Sequence, residues 1–280
     1  MGLKIWVQIA MGAPERDPGA MLWMDLMRKN MDLARDPETE ISFHCPKKGL
    51  SDLEAFFHRH LVFLDDREVL DGVMMAEKEG YDAVYLACYY DPVLVEAKQA
   101  VNIPVIGPAE ASLHVACMMA GKMGVVGISN GACHIIEEHL KLHGLEDRAV
   151  RPRPIPSGPT EQMEGMKDAR HEIESFQKVG RQLIADGAEI LIPGCLCMCP
   201  IMRLAPGREK EYPNGLTDVD GVPVMDVISV TTKMTEMMVQ LNRLGSTWIS
   251  RHGLYEQAPP HVWEMAKTML QYQGEGLWQC

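Results

Sequence analysis

Two nine-residue stretches constrain this chain more than anything else in it. Residues 80–88 read GYDAVYLAC and residues 187–195 read GAEILIPGC. Each opens on glycine, carries an acidic residue at its third position, runs through apolar strand formers and ends on cysteine. Glycine is a common left-handed helix terminator, and a short apolar run bounded by turn signals is the mark of a buried strand. Each stretch therefore predicts a helix end, a buried strand and a thiol at the strand's carboxyl end. The echo continues beyond the cysteines. Ile103-Pro104-Val105 follows the first and Val222-Pro223-Val224 the second, with Pro104 16 residues past Cys88 and Pro223 28 residues past Cys195. The second half thus carries about twelve extra residues, which the Pro- and Gly-containing segment 200–220 accommodates.

The surrounding sequence alternates strand and helix. Residues 3–9 read as a buried strand, and Asp17-Pro18 offers an N-cap with proline at the first helical position. That helix runs to about Ala34, with Leu22, Trp23, Leu26, Met27 and Met31 on one face. A strand follows over 40–44, a capping box at Ser51 and Glu54 opens a helix in SDLEAFFHRHL, and a helix over 67–79 stops at Gly80. After the strand Ala83–Ala87, a helix near Asp91-Pro92 leads to the strand Ile103–Ile106. A second cycle begins with KMGVVGIS at Lys122, continues in a helix ending before Gly144, and ends in a long helical stretch closing at Asp186-Gly187. Such β-α-β units form parallel sheets, and ligands bind outside the carboxyl ends of their strands. The expected fold is α/β, with two similar lobes, each a mainly parallel sheet flanked by helices, and the active site in the cleft between them. Residues 1–111 plus 226–280 would form the first lobe with a C-terminal tail, and 112–225 the second.

Composition narrows the partners. The net charge is −12 and the basic residues gather only briefly, at Arg151-Pro-Arg153, so a nucleic-acid backbone is not an expected partner. No apolar stretch reaches the roughly 20 residues that span a bilayer, which argues against a membrane partner. The opening MGLKIWVQIAMG lacks a signal-peptide cleavage site, giving a cytoplasmic expectation in which the eight cysteines are thiols. A small-molecule substrate is the partner that remains.

The segments ACYYDPVLVEA, IPVIGPAEA and GKMGVVG, with GAEILIPGC, GVPVMD and STWISRHGLYEQAPP further on, resemble the Asp/Glu/hydantoin racemase superfamily, the hydantoin racemase branch most of all. The resemblance implies a cofactor-independent 1,1-proton transfer with one cysteine on each face of the substrate carbon, and the matching residues are Cys88 and Cys195. The chemistry agrees. Racemisation without a cofactor needs a base on one face and an acid on the other, which exchange protonation states in each turnover. A thiol with a pKa near 8.5 becomes a usable thiolate with modest help from backbone N–H groups, and neither a metal nor pyridoxal phosphate is then required.

Other readings of the same residues stay open. One cysteine after an apolar strand is usually a small core residue; the repetition is what argues for function. Cys197 and Cys199 make CLCMC a conceivable metal cluster, although its spacing is not that of a zinc finger. Substrate-contact candidates are Gln8, where the hydantoin racemase branch has an Asn-Pro-Asn-type loop, Tyr89 and Tyr90 as an aromatic wall or hydroxyl donor, and Leu196 beside the second thiol. Glu110 matches a glutamate of the racemase pattern and could equally be a capping carboxylate. Ser129 could contact substrate or cap a helix. On the same fold a single cysteine could serve an isomerase, decarboxylase or hydrolase, and a non-catalytic small-molecule binder needs neither thiol. Trp248, Tyr255, Trp263 and Trp278 are available to pack against a second copy in a homo-oligomer or against their own chain.

Overall fold

A computed structural model describes residues 2–12, 18–245, 248–270 and 277–279. Its first sheet has the order β10-β2-β1-β3-β4, with β1 at Lys4–Gln8, β2 at Glu40–Pro46, β3 at Ala83–Leu86 and β4 at Val105–Ile106. These four run parallel. The edge strand β10, Leu277–Gln279, returns antiparallel to β2. The second sheet, β6-β5-β7, is parallel and contains Met123–Gly127 as β5, Arg153–Pro154 as β6 and Ile190–Pro193 as β7. A two-stranded hairpin, β8 (Asp218–Val219) with β9 (Val222–Pro223), leads from the extra segment into the second of the aligned Val-containing stretches.

Each shared residue of the two echoes has the same physical task. Gly80 and Gly187 take φ values of 79° and 103°, the left-handed region open to glycine without a Cβ penalty, and turn the chain out of helices α2 (Arg59–Lys78) and α7 (Arg170–Ala185). The acidic third residues tie the new strand to its neighbour's start. Asp82 accepts a hydrogen bond from the Lys4 N–H at 2.8 Å, and Glu189 accepts one from the Gly121 N–H at 2.6 Å. The aligned Val-containing segments close the pattern. Val84 pairs with Val105 and Leu191 bridges Val224, both in parallel.

The helices lie as the apolar periodicity dictates, with three differences; one is that the long helical stretch expected before Asp186 is preceded by β6 and broken into Pro159–Gly165 and Arg170–Ala185. Helix α1, Pro18–Ala34, buries Trp23, Met24, Leu26, Met27 and Met31 and packs against α9, Val227–Arg243, which also packs on α4, Pro108–Met119; its expected cap, Asp17, lies outside the described residues. Ser51 does not open a helix. Asp52 caps a short 3-10 turn over Leu53–Phe57, and α2 then runs unbroken from Arg59. The adjacent Asp52 carboxylate reaches the Glu54 N–H at 2.8 Å and takes the capping place. The helix after Asp91-Pro92 likewise starts later, as α3 at Leu94–Ala100. The expectation of thiols throughout also needs correction, because Cys45 is disulfide-bonded. The remaining helices are α5 (Asn130–Leu142), α6 (Pro159–Gly165), α8 (Met198–Leu204) and α10 (Pro260–Met269). Among the described residues no helix is long and apolar enough to cross a membrane.

Candidate active site

The carboxyl ends of the two sheets face one another across a cavity of about 100 Å³. The first lobe lines it with Ile9, Met11 and Trp23 and with the loop from Ala87 to Tyr90; the second lobe contributes Ile128, Gln162, Met163, Met166 and Cys195 to Cys197. Cys88 and Cys195 therefore open onto one space. Both are free and partly buried. No Lys, Arg, His, Asp or Glu among the described residues lines this cavity.

The two thiols meet different electrostatics. Burial pushes the Cys88 thiol up to about 12, against the help of the Tyr90 N–H, because a charged sulfur loses its water there. Cys195 is held below the ordinary thiol range. Its sulfur accepts a hydrogen bond from the Cys197 thiol first of all, then from the backbone N–H groups of Cys197 and Met198 at the start of α8, and together these outweigh burial. The Cys197 N–H lies 3.4 Å from the Cys195 sulfur. The same hydrogen bond, with burial, holds the Cys197 thiol well above its usual range. The arrangement makes Cys195 the more readily ionised of the two thiols.

Close packing fixes the Cys195 strand end. A Cβ on Gly194 would stand 2.8 Å from Val125 Cγ1, 2.9 Å from Ile136 Cδ1 and 2.9 Å from the Val126 carbonyl oxygen. Only glycine fits beside β5 there. Cys199 is buried and donates to the Cys195 carbonyl at 3.1 Å. Among the described residues no group of three or more His, Cys, Asp or Glu is arranged to hold a metal ion, so CLCMC does not gather into the cluster its sequence left open.

The other expected site residues divide. Tyr89, Tyr90 and Leu196 line the cavity, and the Tyr89 hydroxyl shares a hydrogen bond with Ser112 at 3.2 Å. Gln8 does not reach it. Its amide accepts from Trp6 Nε1 at 2.8 Å and donates to the Ile9 carbonyl at 2.9 Å, packed against Gly72 of α2, where an added Cβ would collide with it. Glu110 is likewise away from the cavity, with both oxygens 2.6 Å from Lys98 Nζ. Ser129 caps α5, accepting from the Ala132 N–H at 3.1 Å. The residue that the sequence reading missed is Gln162. It is 1% exposed, lines the cavity, and neither its Oε1 nor its Nε2 has a hydrogen-bond partner among the described residues, which costs about 1–3 kcal/mol per buried group.

Paired parallel sheets, with a thiol just past the end of one strand in each, thus frame a single cavity between two α/β lobes. The Asp/Glu/Hydantoin racemase family model matches residues 32–235, and the chain belongs to that family of isomerases. Hydantoin racemase of Pseudomonas sp. (strain NS671) is 28% identical over 207 residues, covering 74% of this chain and 76% of the relative. Hydantoin racemase of Paenarthrobacter aurescens is 27% identical over 205 residues, 72% and 80% of the two chains. Among solved structures, allantoin racemase from Klebsiella pneumoniae superposes with a TM-score of 0.71 at 23% identity, covering 92% of this chain and 94% of the other. Glutamate racemase RacE1 from Bacillus anthracis gives 0.56 at 17% identity, covering 97% and 95%. The structural likenesses show the fold.

Proposed function

We propose that this chain racemises a small neutral cyclic amide of the hydantoin type, carrying an apolar substituent at its stereocentre, with Cys88 and Cys195 as the acid-base pair. The observation that carries the reading is that two free thiols, biased toward opposite protonation states, open onto one cavity. Starting from one enantiomer, the Cys195 thiolate removes the proton from the carbon beside the ring carbonyl. The C–H electron pair moves into the carbonyl to give an enolate, and the Cys88 thiol delivers its proton to the opposite face. The site is left as a Cys195 thiol and a Cys88 thiolate, and the other enantiomer is processed with the roles exchanged. Both proton-transfer groups come from the chain, so the step needs no metal or organic cofactor.

The walls support the choice of substrate. The described lining of the cavity is mainly aliphatic, aromatic and thiol. A neutral ring with an apolar substituent matches Ile9, Met11, Trp23, Met163 and Met166. The test is loss of optical rotation from an enantiopure 5-alkylhydantoin, with L-glutamate and L-aspartate alongside, using protein dialysed against a chelator. Decay for the hydantoin alone is expected. Racemisation of the amino acids alone contradicts the substrate reading, and loss of activity on chelation contradicts the mechanism.

A further inference from the structure

Gln162 sits on α6, and its backbone needs are met within that helix. Its N–H donates to the Gly158 carbonyl at 3.2 Å, and its own carbonyl accepts from the Met166 N–H at 3.1 Å. Helix α6 is in turn fastened at its start, where the Glu161 carboxylate accepts from the Gly158 N–H at 2.9 Å. The side-chain amide is thus left over. It is buried among Met163, Met166 and the thiol loop, at the wall of the cavity, with donor and acceptor both unused. Native proteins seldom leave both halves of a buried amide unpaired, so a buried amide with neither half paired at a cavity wall calls for a functional explanation.

We infer that Gln162 is the specificity-determining residue for the ring, its Nε2–H donating to a ring carbonyl and its Oε1 accepting from the adjacent ring N–H. A primary amide is the side chain that offers a donor and an acceptor side by side, the complement of a –CO–NH– edge. A carboxylate would satisfy the donor but set its charge against Oε1. This assignment rests on the proposed hydantoin-type substrate and adds to it the group that holds the ring in register between the thiols. A site built to hydrogen-bond an N–H rejects analogues lacking it, because its own polar group is then left unpaired.

The test compares wild type with Gln162→Leu and Gln162→Met on an enantiopure 5-alkylhydantoin and on its N1-methyl and N3-methyl derivatives. On the unmethylated ring both variants are expected to lose about 10- to 100-fold in kcat/KM, the size of one or two lost hydrogen bonds. One of the methyl derivatives should cost wild type a similar factor yet cost the variants little more, so the two losses do not multiply. In the absence of substrate the variants should melt at or above the wild-type temperature, since an unpaired amide has been replaced by an apolar group in an apolar wall. Full activity of the variants on the unmethylated ring, or equal losses on all three rings, overturns the inference while leaving the racemase reading intact. A wild-type protein that racemises none of the three overturns both.

Discussion

The indole Nε1 of Trp23 donates to the carbonyl of Leu196 at 2.9 Å, so a helix of the first lobe holds the loop carrying the second lobe's thiol. The reverse contact also exists. His139 on α5 of the second lobe donates through Nε2 to the Tyr90 carbonyl at 3.0 Å, two residues past the first thiol. Each lobe thus grips the other's cysteine loop by a carbonyl next to or near the reactive residue. Two hydrogen bonds thus cross between the lobes beside the Cys88 and Cys195 loops.

Trp23→Phe keeps an aromatic wall and removes the donor, leaving the Leu196 carbonyl without that partner. A stability loss of about 1–3 kcal/mol is expected, seen as a melting temperature lower by several degrees. Racemisation should fall further than stability alone explains, with kcat affected more than KM. A variant with wild-type kcat shows that the crossing bond does not position the thiol.

Cys197→Ala removes the thiol that donates to Cys195. Because that hydrogen bond stabilises the thiolate, its loss raises the Cys195 pKa, and the acid limb of the pH profile of kcat/KM should move to higher pH. Activity near neutrality falls and recovers in alkaline buffer. Cys88, pushed up to about 12, stays protonated throughout this range and should impose no alkaline decline of its own below that pH. An unmoved acid limb contradicts the assignment of Cys195 as the resting base.

Gly194→Ala places a methyl within 3 Å of Val125, Ile136 and the Val126 carbonyl. Since backbone cannot give way as a side-chain tip can, overpacking of about 1–3 kcal/mol is expected. Thermal unfolding should show that loss, and thiol labelling should show altered Cys195 reactivity. A wild-type melting temperature and labelling rate rule out the close fit.

Much of this architecture was legible in the sequence because the echo repeats physical tasks: a left-handed turn at Gly80 and Gly187, a carboxylate clasp at Asp82 and Glu189, a strand and then a thiol. The pairing of Val84 with Val105 and the bridge of Leu191 to Val224 follow the alignment of the two halves, extra residues included. What escaped the sequence depends on tertiary direction. Gln8 ends a strand on the correct sheet, but its amide is aimed at Gly72 and Trp6. Glu110 finds Lys98, a partner that helix spacing does not reveal. Gln162 lies in a short helix after a proline-rich stretch, an ordinary polar residue by sequence, and only its burial without partners sets it apart.

The most direct test of the two-thiol account is deuterium incorporation in D₂O from each pure enantiomer of a 5-alkylhydantoin, followed by proton NMR and chiral chromatography, for wild type, Cys88→Ser and Cys195→Ser. The account predicts that wild type labels the stereocentre from either enantiomer while inverting it. Both variants should lose inversion by at least about 10²- to 10⁴-fold, and any residual exchange should favour opposite enantiomers in the two variants, each keeping the hand its remaining thiol can deprotonate. Inversion that survives the loss of either cysteine, or residual exchange of the same hand in both variants, would contradict it.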